Sequence, residues 1–190
     1  MSVDPYALPD DLPVPEDDGA ADHLPGATVP RVVLESSAGP VDLAELCSGL
    51  GVVYVYPRSG RPGEPLLPGW NEIPGARGCT PQSCAFRDRA AAFGRLGARV
   101  AGVSAQTLDD QIEFAERNGM PFPVLADPEL KLRDELGLPT FETCGLELYR
   151  RMAIVAENGR IAKVFYPVFP PDQNASEVLA WLAGDATVER

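Results

Sequence analysis

Long apolar runs are missing from this chain: no stretch of about 18 apolar residues occurs, so no membrane-spanning helix is expected. Histidine is nearly absent, with one in 190 residues. No serine has a histidine partner at a motif position, which excludes a Ser-His-Asp hydrolase. A zinc site needs four ligands in paired spacing, and the chain does not supply them, so no metal or other cofactor is expected. Basic residues are scarce: 16 Lys and Arg against 28 Asp and Glu leave a net charge of −12. Nucleic acid and anionic membrane surfaces both demand a basic footprint, so neither is an expected partner. The N-terminal segment MSVDPYALPDDLPVPEDDGAADHLPG lacks the basic and apolar parts of a secretory signal, and the expected location is the cytoplasm. The glycines of 60–78 are not followed by Gly-Lys-Ser/Thr, which excludes a phosphate loop. Its 18 glycines and 20 prolines show no period, so repeat architectures fail as well.

What remains is a chain with 45% hydrophobic residues, enough for one sizeable core. Residues 1–28 are expected to form an irregular arm, either mobile or wrapped over the rest, because residues 1–30 hold six prolines and seven carboxylates. Residues 29–190 are expected to form the folded domain. VPRVVLES from Val29 reads as a strand and Leu43 to Leu46 as a short helix. VVYVY at 52–56 reads as a strand buried on both faces. From Pro57 to Gly78, ten of 22 residues are Pro or Gly, so a long loop is expected, packed through Trp70 and Ile73. Thr80 is the expected N-cap of a helix with Pro81 at its first position and an apolar stripe through Phe86, Ala90, Phe93 and Leu96. A strand at 98–105, a helix capped by Thr107 and stopped by Gly119, a strand at 121–127 and a helix from Pro128 to Leu136 follow. Leu148 to Phe165 reads as a hairpin turning at Asn158-Gly159, and 176–183 as a last helix. This order predicts an α/β protein of thioredoxin-like fold, a central mixed sheet flanked by helices.

Of the cysteines Cys47, Cys79, Cys84 and Cys144, the pair in Gly78-Cys79-Thr80-Pro81-Gln82-Ser83-Cys84-Ala85-Phe86-Arg87-Asp88 carries the strongest signal. Cys79 sits at a helix start, where unpaired amides and the helix dipole favour the thiolate. Five residues on, Cys84 points elsewhere on a regular helix, so a bond between the two requires the first turn to unwind. Cys47 and Cys144 read as buried or incidental thiols. His23 reads as a solvated residue, or as one that closes over the site if the arm packs there.

The segment resembles the peroxiredoxin family in its Q-type branch, through Gly78-Cys79-Thr80, the four residues between Cys79 and Cys84, and Phe86-Arg87-Asp88. VVYVYP at 52–57, Tyr149-Arg150-Arg151 and Glu157-Asn158-Gly159 extend the resemblance over about residues 29–182. It implies a thiol peroxidase in which Cys79 is the peroxidatic cysteine, Cys84 the resolving one, and Arg151, or else Arg150, holds the thiolate and polarises the peroxide. It also implies a hydroperoxide substrate and thioredoxin or a similar dithiol as reductant. The sequence departs from the family where a proline and a hydroxyl residue are usual: Glu72 and Ala76 stand there. Pro57 looks like the displaced proline, followed by an insertion, and Thr80, although expected to cap the helix, is the hydroxyl that would substitute in the site. Two other readings stand beside this one. A thioredoxin-fold oxidoreductase or biosynthetic enzyme would use the same cysteines for other sulfur chemistry, although Cys-x-x-Cys is absent. A non-enzymatic redox sensor is the other.

Overall fold

The computed structural model describes residues 6–184. Alternation along one strand sets the architecture. In β3 (Leu50–Val55), Val52, Tyr54 and then Tyr56 point to one face of the sheet, while Val53 and Val55 point to the other. Both sets are buried, so the strand is central and each face needs its own cover. The cover of the Tyr54 face is α2 (Cys79–Asp88), α3 (Ala90–Arg95), α4 (Leu108–Asn118) and α6 (Asn174–Leu182), through Phe86, Phe93, Phe114 and Val178. On the opposite face lie α1 (Leu43–Leu46), α5 (Lys131–Leu136) and the N-terminal segment, through Leu43, Leu132 and the fully buried Leu24.

Seven strands form the main sheet in the order β2-β1-β5-β4-β3-β8-β9. These are β1 (Val33–Ser36), β2 (Val41–Asp42), β3, β4 (Ala98–Ser104), β5 (Val124–Ala126), β8 (Met152–Glu157) and β9 (Arg160–Phe165). β3, β4 and β5 run parallel, while β8 pairs antiparallel with β3, with Val55 opposite Met152. The sheet is therefore mixed, as expected. Opposite Tyr54 on β4 stands Gly102, and a Cβ there would lie 2.5 Å from the tyrosine ring. The glycine makes room for Tyr54 to stack on Phe86 at 4.4 Å between ring centroids.

Several expectations are corrected. The helix expected from Thr80 onward is two helices, broken at Arg89. Its N-cap is Gly78, not Thr80, and Cys79 takes the first helical position that was expected for Pro81. The helix expected from Pro128 starts at Lys131, because Leu130 adopts a left-handed conformation and the Asp127 carboxylate accepts from the amides of Lys131 and Leu132. A hairpin of β6 (Thr140–Thr143) and β7 (Leu146–Tyr149) was not expected. Its turn is Cys144-Gly145, both at positive φ, and a cysteine there carries none of the usual Asn-Gly signal. The strand expected from Leu148 through Ala156 is consequently split at Arg150-Arg151.

The described part of the N-terminal segment wraps the domain. Residues 26–29 bond to Ile161 and Gly159, and Tyr166 donates to Asp18. His23 lies exposed beside Gly137, where its Nε2 donates to the Leu136 carbonyl, so it does not cover the cysteines. Among the described residues no helix is long and apolar enough to cross a membrane.

Candidate active site

The site forms where the C-terminal end of β3, the start of α2 and the start of β8 meet. Antiparallel pairing of β8 with β3 brings the residue just before Met152 beside the loop that follows Val55. That residue is Arg151, and its side chain runs beneath the start of α2.

Arg151 is 3% exposed. Its Nε donates to the Gly75 carbonyl at 3.1 Å. Its Nη2 lies 3.1 Å from the carbonyls of Ala76 and Arg77 and 3.2 Å from Cys79 Sγ. Its Nη1 donates to Gln82 Oε1. Gln82 is fixed in turn by Asn174 at the start of α6, whose Oδ1 accepts at 2.9 Å. No carboxylate pairs with Arg151 among the described residues. A buried guanidinium without a counter-ion is costly, and its neighbours here are neutral except for one acidic group, the Cys79 sulfur. Cys79 Sγ is thus the one group in contact with the Arg151 guanidinium that can carry a negative charge. Arg150, the alternative, points away: its Nε donates to the Thr140 carbonyl.

Cys79 is buried, and as a thiol it donates to the Ala76 carbonyl at 3.6 Å. At the first position of α2 it faces amides that have no partner within the helix. The Arg77 carbonyl lies before the N-cap, outside the hydrogen-bond ladder of α2, and accepts from Arg151. Gly78, at φ 103, is the hinge of this geometry. A Cβ on it would overlap Pro171 and come within 2.8 Å of Leu8. Gly78→Ala is expected to cost about 2 kcal/mol or more, read by denaturant unfolding, and to displace Cys79.

Thr80 is buried at the second helical position and lines, with Cys79, a cavity of about 20 Å³, room for roughly one water. Ala76, where a hydroxyl is usual, is fully buried and offers only its carbonyl. Thr80 is therefore the side-chain hydroxyl on this cavity wall. The remaining wall comes from the long loop: Arg58, Gly60, Leu66, Trp70 and Arg77. The loop is packed as expected, since Trp70 is buried with Ala76 and Leu148.

Cys84 lies elsewhere. It is half-buried, with Sγ 3.9 Å from Asn118 Oδ1 on α4. Burial pushes its thiol up, the Arg87 guanidinium partly offsets this, and Asp88 reinforces it. All four cysteines are free thiols. Cys47 is buried against the opposite face of the sheet, where burial pushes it up to about 11. Cys144 is exposed at the β6–β7 turn. Among the described residues no group of three or more potential metal ligands gathers. The sequence did not signal Gln82, Asn174, Arg58 or Arg77; only the Pro/Gly density of 57–78 marked that loop as more than a connection.

The redoxin family matches residues 24–180. A chloroplastic peroxiredoxin Q of Sedum lineare is 32% identical over 158 residues, covering 83% of this chain and 76% of the relative. A chloroplastic peroxiredoxin Q of Gentiana triflora is 30% identical over 83% of this chain, which spans 65% of that relative's length. Among solved structures, a peroxidoxin from Mycobacterium tuberculosis superposes with a TM-score of 0.68 at 25% identity, over 88% of this chain and 99% of that one. A Xylella fastidiosa PrxQ superposes at 0.69 and 21% identity, over 86% and 98%, and shows the same fold.

Proposed function

The chain belongs to the redoxin family as a peroxiredoxin of the Q type, a thiol-dependent peroxidase, and we propose that Cys79 is its peroxidatic cysteine and Cys84 its resolving one. The observation that carries this reading is the buried Arg151 guanidinium, 3.2 Å from Cys79 Sγ and without a carboxylate partner. The Cys79 thiolate attacks the terminal oxygen of a hydroperoxide. The O–O bond breaks, the alcohol or water leaves with a proton, and Cys79 becomes a sulfenic acid. Arg151 compensates the charge before attack, and the Thr80 hydroxyl and the free amides of α2 are the donors available to the peroxide oxygens. Cys84 then attacks the sulfenic sulfur, a disulfide forms and water leaves. A dithiol protein such as thioredoxin returns both sulfurs to thiols. Such a reductant belongs to a reducing compartment, and the cytoplasm is the location we propose.

The second step needs a rearrangement. Cys79 Sγ lies against Arg151 and Cys84 Sγ against Asn118, so the first turns of α2 have to open before the sulfurs meet. Peptide mapping after one equivalent of peroxide is expected to find the Cys79–Cys84 bond; a dominant bond to Cys144 or between chains would refute the pairing. Cys84→Ser is expected to consume one equivalent and then stall with a dithiol reductant, so continued turnover would dismiss Cys84. The raised Cys84 thiol sets a pH dependence. Only its thiolate attacks the sulfenic acid, so disulfide formation is expected to accelerate as pH rises past the ordinary thiol value of 9.0. A rate that is flat or falls across that range would contradict this.

A further inference from the structure

We propose that the loop of residues 57–78 makes this peroxidase select short hydroperoxides that carry a carboxylate, with Arg58 as its anchor; the proposal rests on the peroxidase reading. The cavity at Cys79 adjoins a larger one of about 70 Å³, and the two share Arg58, Gly60, Leu66, Trp70 and Arg77 as walls. The chain thus builds an antechamber to its nucleophile. One side is apolar, with Leu66, Leu67 and Trp70.

The charges in this antechamber are mostly spoken for. Arg61 pairs with Asp110 at 2.9 Å and lies 3.8 Å from Glu113. Glu113 is also held by Arg117 at 2.7 Å. Arg77 donates to the Ala7 carbonyl. Glu64 is exposed at the rim. Arg58 is half-buried, lines both cavities, and has no ion pair or side-chain hydrogen bond among the described residues. A guanidinium in this position, on the wall shared with the nucleophile's cavity, fits a planar carboxylate through two N–H groups. The net charge of −12 disfavours anions at a distance, but beyond about 8 Å it is screened at physiological salt, so the local cation decides. The small volumes favour a substrate of a few carbons between the peroxide and the carboxylate.

The chemistry is unchanged. Cys79 takes the terminal oxygen, and the product alcohol keeps the carboxylate on Arg58 until release. The test compares a six-carbon tertiary hydroperoxide ending in a carboxylate with its neutral methyl ester. The expected acid-to-ester ratio of kcat/KM is about tenfold or more in the wild type. It is expected to fall close to one in Arg58→Ala and to be partly restored in Arg58→Lys, however the rate with hydrogen peroxide moves. A long-chain fatty hydroperoxide, with its carboxylate far from the peroxide, is expected to show no such dependence on Arg58. A wild type that does not discriminate, a ratio that survives Arg58→Ala, or a long-chain substrate with the same Arg58 dependence would overturn the proposal. Absence of activity with every hydroperoxide, hydrogen peroxide included, would instead overturn the peroxidase reading.

Discussion

Cys79→Ser is expected to lower peroxide consumption by at least about a thousandfold, because a hydroxyl in the same place is a far weaker nucleophile and has no sulfenic state to enter. The substitution is close to isosteric. A serine hydroxyl can still donate to the Ala76 carbonyl, so the start of α2 keeps a local partner. What is lost is the polarisable sulfur beside Arg151. The remaining thiols are poor substitutes. Cys47 is buried on the far face of the sheet and pushed up to about 11. Cys84 is raised by burial and lies beside Asn118. Cys144 is exposed, and its sulfur bonds to the Thr143 hydroxyl and the Pro68 carbonyl. Stopped-flow consumption of hydrogen peroxide by the reduced variant measures the effect. Full residual activity would show that one of these three is the nucleophile.

Most of the sheet was legible in the sequence, because a continuous β-branched and aromatic run such as Val52, Val53, Tyr54, Val55 and Tyr56 marks a strand buried on both faces. Thr107 and Gly119 were legible for the same kind of reason: a side-chain cap and a left-handed stop are local chemistry, and both hold. The failures come from backbone conformations the residue types do not announce. Cys144 and Leu130 adopt positive φ without being Gly or Asn, which hid the β6–β7 hairpin and shifted the start of α5. At α2 the usual Thr-Pro signal misled by two positions. A left-handed Gly78 caps the helix, since only glycine fits between Pro171 and Leu8.

The place of Cys79 was legible because a helix start is a local signal. Arg151 was legible only through the resemblance, since nothing local distinguishes it from Arg150. The supporting groups were not legible at all. Gln82 reaches Arg151 across 69 residues and Asn174 across 92, through side chains that read as ordinary polar positions. Arg58 joins the site because a loop of 22 residues, counted from Pro57 to Gly78, folds back over Cys79. Only the fold places these groups together.

Arg151→Ala is expected to slow peroxide attack by at least about a hundredfold, the loss typical of removing a preorganised donor from a developing charge. It is also expected to destabilise the fold by about 3–5 kcal/mol, because several buried acceptors are left without a donor at about 1–3 kcal/mol each. Two distinct causes lie behind the two effects. The rate falls because the thiolate loses its counter-charge at 3.2 Å. Stability falls because the carbonyls of Gly75, Ala76 and Arg77 and the side chain of Gln82 lose their shared donor in a buried place. Arg151→Lys separates them. An ammonium keeps the charge but cannot donate in five directions from one plane, so it is expected to recover part of the rate and less of the stability. Arg150→Ala supplies the control, since Arg150 binds the Thr140 carbonyl and not the sulfur. Stopped-flow rates and denaturant unfolding on the three variants, side by side, measure both effects. If Arg151→Ala lost stability yet kept its rate, the guanidinium would be a structural clamp on the loop, and the thiolate would owe its formation to the helix start alone.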